Sequence, residues 1–164
     1  MPAPSGTAIV SALITAVLLT ACAQDRVSGP SVPDLLRPQA GYYDTQGCTP
    51  GFWKNHPSLE FWNYLPGQNL DPVFNVPDSF GLDNVTLLGA LSLPGGPGAQ
   101  GAARILLRAG VAALLNAAAN NMNYPMSQTD VINAVNAALA SGNRDTMLSL
   151  ATQLDNLNNL GCPL

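Results

Sequence analysis

The sequence predicts an all-α domain: a small helical bundle of three or four main helices, with a loop-rich N-terminal third and one closing disulfide. Three observations predict this class. Apolar residues recur at helical spacing through the second half of the chain, β character is confined to fragments broken by proline, and Cys48 and Cys162 bracket the folded region. The length of 164 residues suits one domain.

The N-terminus has the features of an export signal. Residues 1–21 contain no charged side chain, and the stretch from Ala8 to Ala21 is apolar. At about 14 residues, this stretch matches the hydrophobic region of a signal peptide and is short for a membrane-spanning helix, which needs about 20. We therefore expect residues 1–21 to be a signal peptide, with a buried core helix as the alternative.

The string LTAC at residues 19–22 resembles the bacterial lipobox, in which small residues precede a cysteine that is lipidated and becomes the new N-terminus. The resemblance implies lipidation of Cys22. The alternative is ordinary cleavage after Ala21 or Ala23, which leaves a soluble secreted protein with an odd cysteine. Residues 22–47 combine Pro, Gly and Ser without an apolar period, so we expect a lipidated N-terminus followed by a flexible tether.

A disulfide is expected between Cys48 and Cys162. Once Cys22 is set aside, these two form an even pair in a compartment where disulfides persist. The bridge would close a loop of about 115 residues and stabilise the fold by about 4–5 kcal/mol in the chain-entropy model. Two separate buried thiols are the alternative.

The first part of the domain is predicted to be mostly loop. Residues 49–82 are rich in aromatics and are interrupted by five prolines, which leave room for a helical turn only at about Ser58–Leu65. Asp83 is predicted to cap a short helix that continues to about Leu91. The breaker Pro-Gly-Gly-Pro-Gly at residues 94–98 stops it.

Two longer helices come next in the chain. The central one extends from Ala99 to about Asn120, and its Gly110 costs about 1 kcal/mol relative to alanine. Ser127 followed by Asp130 resembles a capping box, so the second of these helices is predicted to begin there.

The last helix is predicted to follow Gly142. Either Asn143 or Asp145 can cap it, and its broad apolar face ends at Gly161. Many Asn residues stand between apolar positions of the later helices, which indicates a surface kept polar by amides instead of charges.

Charge and residue counts exclude several functions. Only 10% of residues are charged, the net charge is −4, and the six basic residues are scattered, so no basic stripe exists for nucleic acid to follow. One His and three Cys cannot build a multi-His metal centre, a zinc finger, an iron–sulfur cluster or a CxxCH haem site. We therefore expect no cofactor and no metal.

The most distinctive string is CTPGFWKNHP at residues 48–57. It resembles the CTPG(F/Y)WKNHP motif that opens a group of bacterial secreted or surface proteins. Later strings at residues 104–116 and 150–159 resemble the helical patterns of the same group. The resemblance implies an extracytoplasmic domain over residues 48–164 and supplies no catalytic residues.

Two interpretations of this motif are open, and in both Pro50-Gly51 is expected to form a turn. In the first, aromatic side chains cover an Ala/Leu-rich core that lacks large residues, while the polar side chains bond to loop backbone. Those aromatics are Phe52, Trp53, Phe61 and Trp62. In the second, the motif binds a ligand, with a tryptophan stacked on an apolar or sugar face and polar donors beside it. The candidates are Trp53, Lys54, Asn55, His56 and Trp62.

Catalytic and metal sites have less support. His56 could act as a general base, but Ser58 is too near in sequence to be a persuasive nucleophile and no GxSxG elbow occurs. Glu60 and Asp71 could form a glycosidase-like carboxylate pair, although no spacing selects them. A metal site would combine the histidine with aspartates, namely Asp71, Asp78 or Asp83.

Together these features predict a bacterial cell-envelope lipoprotein whose helical domain has a binding or structural role. Its expected partners are the membrane, through the lipid anchor, and an envelope glycan or protein. The alternatives are an extracytoplasmic hydrolase-like enzyme that uses His56, and a soluble secreted glycan-binding module. A buried Trp53 with His56 bonded to backbone would favour the first function, whereas His56 facing a carboxylate across a pocket would favour the enzyme.

Overall fold

The computed structural model describes residues 44–58, 62–82 and 84–164. Within these ranges the chain forms five α-helices and one 3-10 helix, and its β pairing is limited to isolated bridges. The elements in chain order are α1 (Pro50–Asn55), the 3-10 helix Asp78–Phe80, α2 (Leu87–Ala90), α3 (Gly98–Ala118), α4 (Gln128–Ala140) and α5 (Arg144–Asn158). The predicted all-α class is confirmed. The predicted signal peptide, Cys22 and nearly all of the predicted tether lie outside the described residues.

Helix α3 is the centre of the bundle, and the other helices pack around it. Alanine and glycine line much of its surface, so neighbouring backbones approach closely. A Cβ on Gly110 would lie 2.9 Å from Cγ2 of Val135 in α4. The helix is long and apolar enough to cross a membrane, but 78% of its most apolar window is buried inside the protein, as in the core helix of a globular domain.

The predicted capping box explains where α4 begins, and one of the two predicted caps explains where α5 begins. At α4, the amide of Asp130 donates to Oγ of Ser127 at 3.1 Å, and Oδ2 of Asp130 accepts from the Ser127 amide at 3.3 Å. At α5, the cap is Asn143, whose Oδ1 accepts from the Thr146 amide at 3.0 Å. Helix α5 ends at Asn158, three residues before the predicted end, with its last side chain turned into the core.

The prediction that a helix begins at Asp83 is wrong. Helix α2 begins at Leu87, and its N-cap is Thr86, whose hydroxyl accepts a 3.0 Å hydrogen bond from the amide of Gly89. Thr86 is extended because it forms an isolated antiparallel bridge with Asn69: the amide of Leu70 donates to the carbonyl of Val85 at 2.9 Å, and the amide of Leu87 donates to that of Gln68 at 2.8 Å. This pairing supplies backbone partners that an earlier helical turn would have to break.

Arginine side chains hold the Gly-Pro-rich segment before α3. Nη1 of Arg144 donates to the carbonyls of Gly96 and Gly98 at 3.1 and 2.8 Å, and Nη1 of Arg108 donates to that of Leu93 at 3.3 Å. Gly101 packs directly on the backbone of this segment, where any Cβ would overlap the Gly96 carbonyl. The segment is therefore a fixed connection between α2 and α3.

The predicted disulfide is present. Cys48 and Cys162 are bonded, with their Cα atoms 4.5 Å apart and a sequence separation of 114. Beside the bridge, the amide of Gly47 donates to the carbonyl of Gly161 at 3.0 Å. The beginning and the end of the described domain therefore meet at one place.

Candidate functional site

The motif at residues 48–57 forms helix α1, so the expectation of a simple turn at Pro50-Gly51 is wrong. Thr49 is the N-cap, and its hydroxyl accepts from the amide of Phe52 at 3.2 Å. Pro50 occupies the first helical position, where its fixed φ is favourable and no amide proton is needed. Threonine followed by proline was the sequence signal for this helix.

The aromatic residues of the motif divide between core and surface. Trp53 has no exposed surface, and its ring contacts Phe52 and Trp62 edge to face, with centroid distances of 5.3 and 6.4 Å. Trp62 is 3% exposed, and its Nε1 is buried without a hydrogen-bond partner. Phe52 is half-buried, and Phe61 lies outside the described residues. For Trp53 and Trp62, this is the placement that the first interpretation of the motif requires.

A fully buried asparagine binds the start of the motif. Oδ1 of Asn116, in α3, accepts from the amide of Cys48 and from Nε1 of Trp53, each at 2.9 Å. Its Nδ2 donates to the carbonyl of Cys48, also at 2.9 Å. The amide side chain thus pairs with both backbone groups of Cys48, as a neighbouring strand would.

A second buried asparagine extends this network to α5. Oδ1 of Asn158 accepts from Nδ2 of Asn116 and from the hydroxyl of Tyr124, each at 2.9 Å, and its Nδ2 donates to the carbonyl of Ala109 at 3.0 Å. Both asparagines have no exposed surface. The expectation that Asn residues of the later helices keep the surface polar is wrong for these two. The motif and α5 supply the partners of the Asn116 side chain, and α3 and Tyr124 supply those of the Asn158 side chain.

Sequence reasoning missed Asn116, Asn158 and Tyr124. One signal was available: Asn116 directly follows the apolar Leu114 and Leu115 in a helix whose surroundings are almost entirely apolar. A polar residue at such a position is buried only if it is hydrogen-bonded. Its partners could not be read from the sequence because they lie 68 and 42 residues away.

The polar candidates of the motif lie on its exposed face. Lys54, Asn55 and His56 are all exposed at the end of α1. Nδ1 of His56 lies 2.8 Å from the carbonyl oxygen of Phe52 and therefore donates to it, and the imidazole stacks on the Phe52 ring at 4.4 Å with an interplanar angle of 23°. His56 closes the end of α1, and its Nε2 is the ring nitrogen left for an external partner.

The five candidate ligand-binding residues therefore do not share one surface. Trp53 and Trp62 are in the core, whereas Lys54, Asn55 and His56 face solvent.

Comparison with protein-family models, curated proteins and solved structures found no match to this chain.

The described residues give the other chemical sites little support. Ser58, Asp71 and Asp78 are exposed, and Glu60 and Asp83 lie outside the described residues. No group of three His, Cys, Asp or Glu side chains within the described ranges could hold a metal ion.

The Tyr64 phenol donates to Oε1 of Gln128 at 2.8 Å and so links the loop after the motif to α4. Burial raises the pKa of this phenol.

Proposed function

We propose that this chain is a bacterial envelope lipoprotein: it is exported, lipidated at Cys22, and carries residues 48–164 as an extracytoplasmic helical domain. The observation that carries the proposal is the Cys48–Cys162 bridge, which joins the two ends of the domain. Disulfides persist in oxidising compartments outside the cytoplasm and are rare within it. A bridge in this position therefore favours export.

The N-terminal sequence supplies the anchor in this proposal. With two of the three cysteines paired in the domain, Cys22 is the one left for lipidation. It stands directly after the small residues Thr20 and Ala21, at the end of the apolar run. Because one acyl chain binds membranes only marginally, stable anchoring requires the several chains that bacterial lipoproteins carry.

The geometry of the motif favours an architectural or binding role over the hydrolase alternative. Nδ1 of His56 is engaged by the Phe52 carbonyl, and the histidine stacks on the same residue. Trp53 is enclosed in the core, where it stabilises the domain instead of meeting a ligand. Any binding by the motif to an envelope glycan or protein would use the exposed Lys54, Asn55 and His56.

The anchor can be tested with Cys22→Ser, using Ala23→Ser as the matched control because it changes the neighbouring residue and keeps the sulfur. The proposal expects wild type and Ala23→Ser to fractionate with membranes and to have the mass of a chain that begins at residue 22 plus lipid. Cys22→Ser should lose the lipid mass and membrane fractionation. Wild-type mature protein without lipid mass would contradict the anchor, and reduced Cys48 and Cys162 in the same sample would contradict export.

A further inference from the structure

The two halves of the disulfide differ sharply in accessibility. Cys48 has no exposed surface, and both its amide and its carbonyl are bonded to Asn116 at 2.9 Å. Cys162 is exposed, as are its neighbours Gly161 and Pro163. The bridge therefore presents one cysteine to solvent and keeps the other inside the fold.

The chain on each side of the bridge reinforces this difference. Before Cys48, Gly47 packs on the backbone at the end of α5, where a Cβ would overlap the Leu157 carbonyl. After Cys48, Thr49 caps α1. By contrast, Cys162 lies beyond the end of α5 at Asn158, between the exposed Gly161 and Pro163.

Thiol–disulfide exchange depends on which sulfur the incoming thiolate can reach. We propose that exchange at this bridge proceeds through Cys162, and that an extracytoplasmic dithiol oxidoreductase forms its mixed disulfide with Cys162 and not with Cys48. The inference rests on the bridge and on the export in the proposed function, but not on lipidation of Cys22, so the choice of sulfur can fail while export and lipidation hold.

The chemistry balances in both directions. In oxidation, the Cys162 thiolate attacks the disulfide of the oxidoreductase, and one of the enzyme's sulfurs leaves as a thiolate. The Cys48 thiolate then attacks Sγ of Cys162, the bond to the enzyme breaks, and the enzyme leaves as a dithiol with the two electrons. In reduction, an enzyme thiolate attacks Sγ of Cys162, and the electron pair of the broken bond stays on Cys48. The second enzyme thiolate then attacks the enzyme sulfur of the mixed disulfide, Cys162 leaves as a thiolate, and the enzyme becomes a disulfide.

Asn116 acts as a positioning residue in this sequence. Its bonds to the Cys48 backbone do not involve sulfur, so they can hold Cys48 in place whether or not the bridge is closed. In the closed bridge the two Cα atoms are 4.5 Å apart. The second, intramolecular attack is therefore favoured by a Cys48 that is already oriented.

The test uses the mature full chain and two probes: a reduced thioredoxin whose second active-site cysteine is replaced by alanine, and glutathione. Free thiols are alkylated, and peptide mapping locates each adduct. Adducts on Cys162 should exceed those on Cys48 by about tenfold or more with both probes, because access selects the sulfur that is attacked. Equal labelling, or an excess on Cys48, would overturn the proposal.

Denaturing urea provides the matched control. Both cysteines follow a glycine and lie close to a proline, so the unfolded chain offers them in similar local surroundings. The excess on Cys162 should therefore fall to near parity in urea. An excess on Cys162 that persists in urea would show that the local sequence selects the sulfur. That result would also overturn the proposal, which attributes the selection to burial of Cys48.

Discussion

Nε1 of Trp53 donates a 2.9 Å hydrogen bond to Oδ1 of Asn116, which lies 63 residues later in the chain. The same oxygen accepts from the amide of Cys48, and Nδ2 of Asn116 donates to Oδ1 of Asn158. Directional bonds thus fix the motif, the central helix and the last helix at one buried point. Changes in the motif core should consequently act on stability before they act on any ligand.

Trp53→Ala should lower the free energy of unfolding by about 3–5 kcal/mol, the usual cost of truncating a buried aromatic side chain. Its ring is fully enclosed, and its indole N–H is one of the donors to Asn116. Urea unfolding followed by circular dichroism measures the change. His56→Ala, at the exposed C-cap of the same helix, is the control and should have a smaller effect. An unchanged unfolding midpoint for Trp53→Ala would contradict the core assignment.

Asn116→Ala should lower the free energy of unfolding by more than about 3 kcal/mol, because each buried polar group left without a partner costs about 1–3 kcal/mol. The substitution leaves the amide and carbonyl of Cys48, the indole of Trp53 and Oδ1 of Asn158 without this partner. The matched control is Asn133→Ala on the exposed face of α4, which should stay within about 0.5 kcal/mol of wild type. Similar losses for both variants would contradict the network.

The two buried asparagines should also be energetically coupled. Nδ2 of Asn116 donates to Oδ1 of Asn158 at 2.9 Å, so each single alanine substitution already breaks the hydrogen bond that the other would break. A double-mutant cycle of Asn116→Ala and Asn158→Ala should give a coupling energy of about 0.5–3 kcal/mol. Strictly additive losses in urea unfolding would show that the bond contributes little.

Local sequence rules predicted the parts of this fold that depend on neighbouring residues. Apolar periodicity gave the main helices, and Ser127 and Asp130 gave the start of α4, because each signal lies within one helical turn. Cysteine counting gave the bridge. The start of α2 was missed because the long-range bridge between Asn69 and Thr86 overrides the local capping signal at Asp83.

The candidate site was less predictable because its contacts are long-range. The sequence left open whether Trp53 and Trp62 lie in the core or meet a ligand, so it did not fix the division of the motif between core and surface. That division depends on Asn116, whose partner Cys48 is 68 residues away. Which side of a helix as short as α1 is buried is likewise set by the bundle around it and not by its own pattern.

Loss of the disulfide should lower stability without abolishing helicity. Cys162→Ser opens the bridge at its exposed end and leaves Cys48 as a buried thiol, which packs as a small apolar side chain. The loss should approach about 4–5 kcal/mol, since the bridge closes a long loop. Thermal unfolding and far-ultraviolet circular dichroism measure both effects, with Cys22→Ser as the cysteine control. An unchanged melting temperature, or a random-coil spectrum at low temperature, would contradict this expectation.

Gly110→Ala should destabilise the domain, although alanine is normally favoured over glycine in a helix by about 1 kcal/mol. The new Cβ would lie 2.9 Å from Cγ2 of Val135, and overpacking of this kind costs about 1–3 kcal/mol. Val135→Ala removes the opposing methyl groups, so Gly110→Ala should cost less in that background than in wild type. Urea unfolding of the four proteins measures the difference. A Gly110→Ala protein more stable than wild type would show that α3 and α4 do not approach this closely.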